Sequence, residues 1–185
     1  MPMETLEKPA EAPTQTVPDC PLTLDMQEQA ADAGIRLEYI QGIGGLWEAM
    51  PLKRHQGNIF RIQTSIKIGA QTTEQGCGCF HYSDLSMRFP DGSAKRPDIA
   101  IFCKDSEQED EEVTDLPDAI IELVSPGYAD KDYNFAVPFY KKWGIKDIVV
   151  FNPADGDVLH INAEGEHHHT SPVNLTFACG CICTV

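Results

Sequence analysis

The sequence predicts an α+β domain with a mixed central β-sheet flanked by helices. Three observations carry that expectation. Apolar strand-like runs occur at Asp98-Ile99-Ala100-Ile101-Phe102-Cys103, Ala119-Ile120-Ile121-Glu122-Leu123-Val124 and Asp147-Ile148-Val149-Val150-Phe151. Between the last two, Phe135, Phe139 and Trp143 recur at helical spacing. Finally, 42% of the 185 residues are hydrophobic, which suffices for a buried core, while no apolar run approaches the roughly 20 residues of a membrane-spanning helix.

The elements follow in chain order. Residues 1–21 set Pro2, Pro9, Pro13, Pro18 and Pro21 among acids and threonines, too little apolar area to repay ordering, so they read as a flexible acidic arm. Residues 22–185 are then expected to form one domain. Thr23 is the N-cap of a short helix to about Ala33. Two apolar-polar alternations, Arg36 to Ile40 and Leu46 to Met50, surround Gly42 and Gly44-Gly45 and suggest a hairpin. From His55 to about Ala70, Ile59, Ile62 and Ile66 point to an amphipathic helix. Phe80 to Phe89 and the runs at 98–103 and 119–124 read as strands, with the acidic stretch 104–118 as a solvated connection. The later helix ends at Gly144 as the residue after its last turn, and Pro138 either kinks it or marks a later start. Asn152-Pro153 and Asp155-Gly156-Asp157 turn the strand at 147–151 into another at Val158 to Ile161. His167-His168-His169, beside Gly165-Glu166, reads as a polar turn or a surface metal-binding patch.

The 29 acids and 14 bases give a net charge of −15, unevenly spread. Residues 1–28 hold six acids (Glu4, Glu7, Glu11, Asp19, Asp25, Glu28) against Lys8. Residues 104–118 hold eight (Asp105, Glu107, Glu109, Asp110, Glu111, Glu112, Asp115, Asp118) against Lys104, and the remainder nets only −3. Long-range repulsion of a nucleic acid therefore belongs mostly to an arm and one connection.

The seven cysteines include Cys77-Gly78-Cys79 and Cys179-Gly180-Cys181-Ile182-Cys183. The start Met1-Pro2-Met3-Glu4 has neither a basic nor an apolar leader segment, so the expected compartment is reducing cytoplasm. The C-x-C pairs lack the C-x2-C spacing of common zinc sites. They read as buried strand cysteines acting as small hydrophobes, with a metal or redox site as the alternative.

Two acids stand out in otherwise apolar strands. Asp98 follows Arg96-Pro97 at the head of one, and Glu122 lies inside Ile120-Ile121-Glu122-Leu123-Val124. A buried carboxylate costs several kcal/mol unless a cation or donors compensate. If the strands are neighbours, the two carboxylates converge on one hard cation, since Mg²⁺ is commonly held by one or two carboxylates plus water and phosphate oxygens. The other reading is a structural ion pair with Arg96 or Lys131.

These residues sit in a wider pattern: Arg96-Pro97-Asp98-Ile99-Ala100, Leu116 through Pro126, Asp132, Tyr140, Trp143 through Asp147, and Phe151-Asn152-Pro153. The pattern resembles the Uma family of restriction-endonuclease-like proteins, a branch of the PD-(D/E)XK nuclease superfamily. Leu37 to Gly42 and Met50-Pro51 through His55 resemble that family's upstream pieces, and the likeness covers about residues 22–162. It implies a restriction-endonuclease-like core and a metal-dependent DNA endonuclease, with Asp98 and Glu122 as ligands of Mg²⁺ or Mn²⁺ and a lysine beside them. Glu38 is an added acidic ligand or a water-orienting group, and His55 a further candidate near the metal. The family's lysine positions here hold Val124 and Ala136, so Lys131 or Lys141 is expected to stand in, with Lys131 favoured for its place near the end of the Glu122 strand.

The resemblance implies DNA as partner, the lack of a membrane-length apolar run leads us to expect no membrane, and a homodimer would let two sites cut two strands. Lys53, Arg54, Arg61, Lys67, Lys141, Lys142 and Lys146 are the candidate DNA-facing cations. The alternatives are a weak or inactive nuclease-fold protein that binds nucleic acid or a protein, and a cysteine-dependent metal or redox protein.

Overall fold

The structure is a computed structural model that describes residues 23–33, 35–40, 44–49, 52–69, 78–105 and 112–185. The expected arm, the glycine turn around Gly42, Met50-Pro51, Cys77 and much of the acidic connection lie outside the described residues.

Helix α1 (Leu24–Asp32) begins after Thr23, whose Oγ1 accepts from the Met26 N–H at 3.2 Å, as its N-cap role requires. Strands β1 (Ile35–Ile40) and β2 (Gly44–Ala49) form the expected antiparallel hairpin. Helix α2 (Lys53–Ser65) is shorter than expected, because Lys67–Ile68 leaves the helical path as strand β3.

The run Phe80 to Phe89 is not one strand. It splits into β4 (Phe80–Ser83) and β5 (Met87–Arg88), which join different sheets. The break falls at Asp84, whose φ of 55° turns the chain out of the extended region. Strands β6 (Ala94–Lys95), β7 (Ile99–Phe102) and β8 (Ala119–Leu123) follow. The later helix starts as a π-helical turn, Lys131–Ala136, and continues as α3 (Val137–Lys142), so Pro138 falls at the start of the α-helical part. Gly144 follows it at φ 73°, a conformation that favours glycine after a helix. Strands β9 (Asp147–Asn152) and β10 (Asp157–Asn162) form the second hairpin. His167-His168-His169 is not a turn: it lies in β11 (Gly165–Thr170), paired residue for residue with β10. Strands β12 (Asn174–Thr176) and β13 (Cys181–Thr184) complete the chain.

Six strands make the central sheet in the order β11-β10-β9-β8-β7-β4. It is mixed: β8 and β9 run parallel, joined by the segment that carries α3, and the other neighbours are antiparallel. Side chains alternate across it. Ala100, Phe102, Ile120, Ile148 and Val150 pack on one face with Phe139 and Tyr140 of α3. Ile99, Ile101, Ile121, Leu123 and Val149 pack on the other with Ile59 and Ile62 of α2 and with Leu175, Phe177 and Cys183 of the C-terminal segment. A second sheet, β2-β1-β6-β5, carries Glu38 and Lys95, and a third, β12-β13-β3, covers the α2 face. Gly69 passes so close to the Gly180 carbonyl that a Cβ would lie 2.8 Å from that oxygen.

Cys181 and Cys183 are buried in a strand, as expected. The expectation that the C-x-C cysteines act as small hydrophobes is corrected for two of them: Cys79 and Cys181, 102 residues apart, form a disulfide. Two chain segments remote in sequence meet there, which spacing alone does not reveal. No helix among the described residues is long and apolar enough to cross a membrane.

Candidate active site

The register Ile99↔Ile121 between β7 and β8 sets Asp98 opposite Glu122, one step beyond the last pair. Cross-strand partners share a face, so both carboxylates lie at one end of the α3 face. They clasp each other's strand. The Asp98 N–H donates to Glu122 Oε2 at 3.2 Å, and the Leu123 N–H donates to Asp98 Oδ2 at 2.7 Å. Both side chains are buried.

Three further elements close around this pair. From α3, the Tyr140 hydroxyl donates to Glu122 Oε1 at 2.6 Å, and Tyr140 itself is held among Phe89, Phe139 and Lys95. From the first turn of α2, His55 Nε2 lies 3.0 Å from Asp98 Oδ1, and its Nδ1 lies 3.3 Å from Ser125 Oγ. With the proton on Nε2, the ring donates to the carboxylate and accepts from the hydroxyl. From β1, Glu38 Oε1 accepts the Arg96 N–H at 3.0 Å, and Oε2 faces Lys95 Nζ at 2.6 Å and Lys131 Nζ at 3.5 Å. Lys131 also stands 3.8 Å from Asp132 Oδ1.

The structure thus brings together Glu38, Asp98, Glu122 and Lys131. Lys141 is elsewhere, bound to Glu166 at 2.6 Å. The Arg96 guanidinium pairs with Asp84 at 2.9 Å. Val124 and Ala136 are buried in the apolar cluster on the α3 face. Lys95, Tyr140 and Asp132 join the cluster without having been assigned a role from the sequence, and His55 is a buried partner of Asp98. The one local signal for Lys95 was its place three residues before Asp98, within a polar stretch that reads as loop.

The electrostatics follow from burial. Among the described residues, the buried carboxyl groups of Glu38, Asp98, Glu122 and Asp132 share one cluster with the ammonium groups of Lys95 and Lys131. Burial pushes the Glu122 carboxyl above its usual range; Asp98 and Glu38 push the same way, against Lys95 and Lys131. Burial, reinforced by Glu122, raises Asp132 to about 8. Burial and the adjacent Glu122 also hold the Tyr140 hydroxyl protonated far above its ordinary value, which keeps it a donor.

The donor set fits a hard divalent cation. Its atoms are carboxylate oxygens, the ligands that Mg²⁺ and Mn²⁺ prefer. No group of three or more Asp, Glu, His or Cys among the described residues is arranged as a ready cage. A cation here would therefore take water and substrate oxygens as its remaining ligands.

A cavity of about 450 Å³ opens beside the cluster, walled by His55, Asn58, Ser125, Tyr128, Pro153 and Ala154 among others. His55 and Ser125 are shared between cavity and cluster.

A family model described as "Uma2: Putative restriction endonuclease" matches residues 23–177. The chain belongs to the Uma2 family. Among solved structures it is similar to "a putative nuclease belonging to DUF820 from Anabaena variabilis ATCC 29413", with a TM-score of 0.59 and 18% identity over 78% of this chain and 83% of that one. At that identity the likeness speaks for the fold, and it agrees with the mixed α+β architecture. No curated protein matches the chain. Membership in Uma2 and the shared fold place this chain among nuclease-like proteins.

Proposed function

We propose that this Uma2 chain is a divalent-metal-dependent endonuclease that hydrolyses DNA phosphodiester bonds, with its site in one domain over residues 22–185. The observation that carries the reading is the buried clasp of Asp98 and Glu122, two carboxyl groups held side by side in one cluster with Glu38, Asp132, Lys95 and Lys131. Keeping such carboxylates dehydrated costs several kcal/mol, which a bound cation would return. Asp98 and Glu122 would hold Mg²⁺ or Mn²⁺, which would supply an activated water and neutralise charge on the phosphoryl group.

The protein's own groups have distinct tasks in this reading. Tyr140 and the Asp98 N–H hold the Glu122 carboxylate in place. His55 and the Leu123 N–H do the same for Asp98. Lys131, at 9% exposure, is the cation nearest solvent and the one that would meet the substrate phosphate; Glu38 holds it and the deeper Lys95 in position.

The test is cleavage of supercoiled plasmid and of single-stranded circular DNA with Mg²⁺ or Mn²⁺, comparing the parent with Asp98→Asn and Glu122→Gln. Metal-dependent nicks lost in both variants support the reading, and parent-like cutting by both variants sinks it. Val124 and Ala136, apolar where the family resemblance expects lysine, favour one alternative: a nuclease-fold protein that binds without cutting. It predicts nucleic-acid binding that survives both substitutions, with no cleavage by the parent.

A further inference from the structure

The cavity beside the carboxylates leads beyond this reading to the form of its substrate, and the inference rests on the nuclease proposal. We propose that the cavity receives one unstacked nucleotide, so that the substrate is a single-stranded or locally opened segment of nucleic acid rather than an intact duplex.

Position supports this. His55 bonds Asp98 on one side and walls the cavity on the other, and Val124 and Ser125 follow Glu122 directly in the chain. A group seated in the cavity is covalently close to whatever phosphate lies at the carboxylates. Size and chemistry agree. The volume of about 450 Å³ falls within the range of roughly 300–1,000 Å³ typical of small-molecule sites. The walls combine the apolar surfaces of Leu52, Pro126 and Pro153 with one aromatic ring, Tyr128, and with the amide of Asn58 and the hydroxyl of Ser125. Proteins that take a base out of the stack hold it this way, between apolar or aromatic faces with polar groups at its edge. A base still stacked in a duplex cannot enter such a cavity.

The charge pattern points the same way. Binding an intact duplex relies on a surface that neutralises many phosphates. Here Lys141 is paired with Glu166, Lys142 with Asp91, Lys146 with Asp118, Arg88 with Glu112 and Arg96 with Asp84. Each of these cations is already balanced by an acid. Lys53 and Arg54 begin α2, and Arg54 lines the cavity, where it also donates to the Pro153 carbonyl at 2.9 Å. They suit one or two phosphates of a short strand.

The test uses the full-length protein in EDTA, so that nothing is cut. A fluorescent base analogue inside a short single strand is titrated with protein, and the same strand is titrated again after annealing to its complement. The single strand is expected to bind at least about tenfold more tightly, and Tyr128→Ala to weaken it on the order of tenfold, the scale of one lost base stack. Ala154→Phe, at an exposed turn position, fills the cavity and should abolish the preference. Circular dichroism checks that both variants fold. Equal or tighter binding of the duplex, no binding of either form, or unchanged binding by both folded variants would overturn the proposal. Failure of the two readings looks different. Single-strand preference without metal-dependent cleavage removes the hydrolytic reading and keeps the cavity's role, whereas cleavage of closed duplex with no such preference does the reverse.

Discussion

Asp98 and Glu122 face each other across the ends of β7 and β8, and each carboxylate accepts a backbone N–H from the other's strand, at 2.7 and 3.2 Å. Neither side chain can swing away without breaking a bond that also closes the sheet. The two negative groups are thereby held together in a buried place, and their mutual repulsion is part of what raises Glu122. That enforced proximity leads to measurable consequences.

The first concerns pH. Asp132 titrates at about 8 in the folded chain against an ordinary 3.8, so between those values the folded state binds more protons than the unfolded. Its contribution to stability is full below about pH 4 and is lost as pH rises through 8. Without divalent metal, the melting temperature should fall by on the order of 5 °C between about pH 5 and pH 8.5. Asp132→Asn should flatten that slope, and an unchanged slope in the variant would rule Asp132 out as its source.

Metal should compete with those protons. A cation ligated by carboxylates binds when they are ionised, and binding to the folded state alone raises stability by mass action. Millimolar Mg²⁺ or Mn²⁺ should therefore raise the melting temperature more at about pH 8 than at about pH 5. Asp98→Asn should remove the shift. A shift that persists in that variant would place the ion elsewhere.

The two lysines should separate. Lys95 is fully buried against Glu38 at 2.6 Å, so Lys95→Met removes the nearest counter-charge of a buried carboxylate and should cost on the order of 3–5 kcal/mol in urea unfolding. Adding Glu38→Leu should recover most of that loss, since an apolar pair often replaces a buried ion pair at little cost. Lys131→Ala should cost less stability but reduce cleavage on the order of a hundredfold. Equal stability losses in Lys95→Met and Lys131→Ala would contradict the distinction.

The Cys79–Cys181 bridge closes a loop whose ends lie 102 positions apart in sequence. Chain-entropy reasoning gives a stabilisation of about 4–5 kcal/mol for a loop of that length. Reductant should lower the melting temperature by roughly 10 °C, and Cys79→Ser should melt like the reduced parent. A count of seven reactive thiols in unreduced, denatured protein would show that the bridge does not form.

Much of the fold could be read locally. The hairpin of β1 and β2, the strands on either side of α3, the Thr23 cap and the Gly144 stop all follow from patterns a few residues long. The misreadings have local causes too. Phe80 to Phe89 looks strand-like from its apolar positions, and its local sign of the left-handed turn is slight: Ser83-Asp84, residue types at home in turns. Three consecutive histidines look like a turn because β11, an edge strand, keeps only part of its surface buried.

For the site, the sequence alone singled out Asp98 and Glu122, because an acid within an apolar run is anomalous in its immediate surroundings. Tertiary structure decided what stands around them. Lys95 meets Glu38 across 57 residues, and His55 meets Asp98 across 43. Strand alternation has a period of two and is legible over a handful of positions, whereas the choice of counter-charge depends on how distant elements pack. The sequence therefore marked the carboxylates and, through the family resemblance, Lys131, while the fold added Lys95, the hydrogen-bond donors and the cavity beside them.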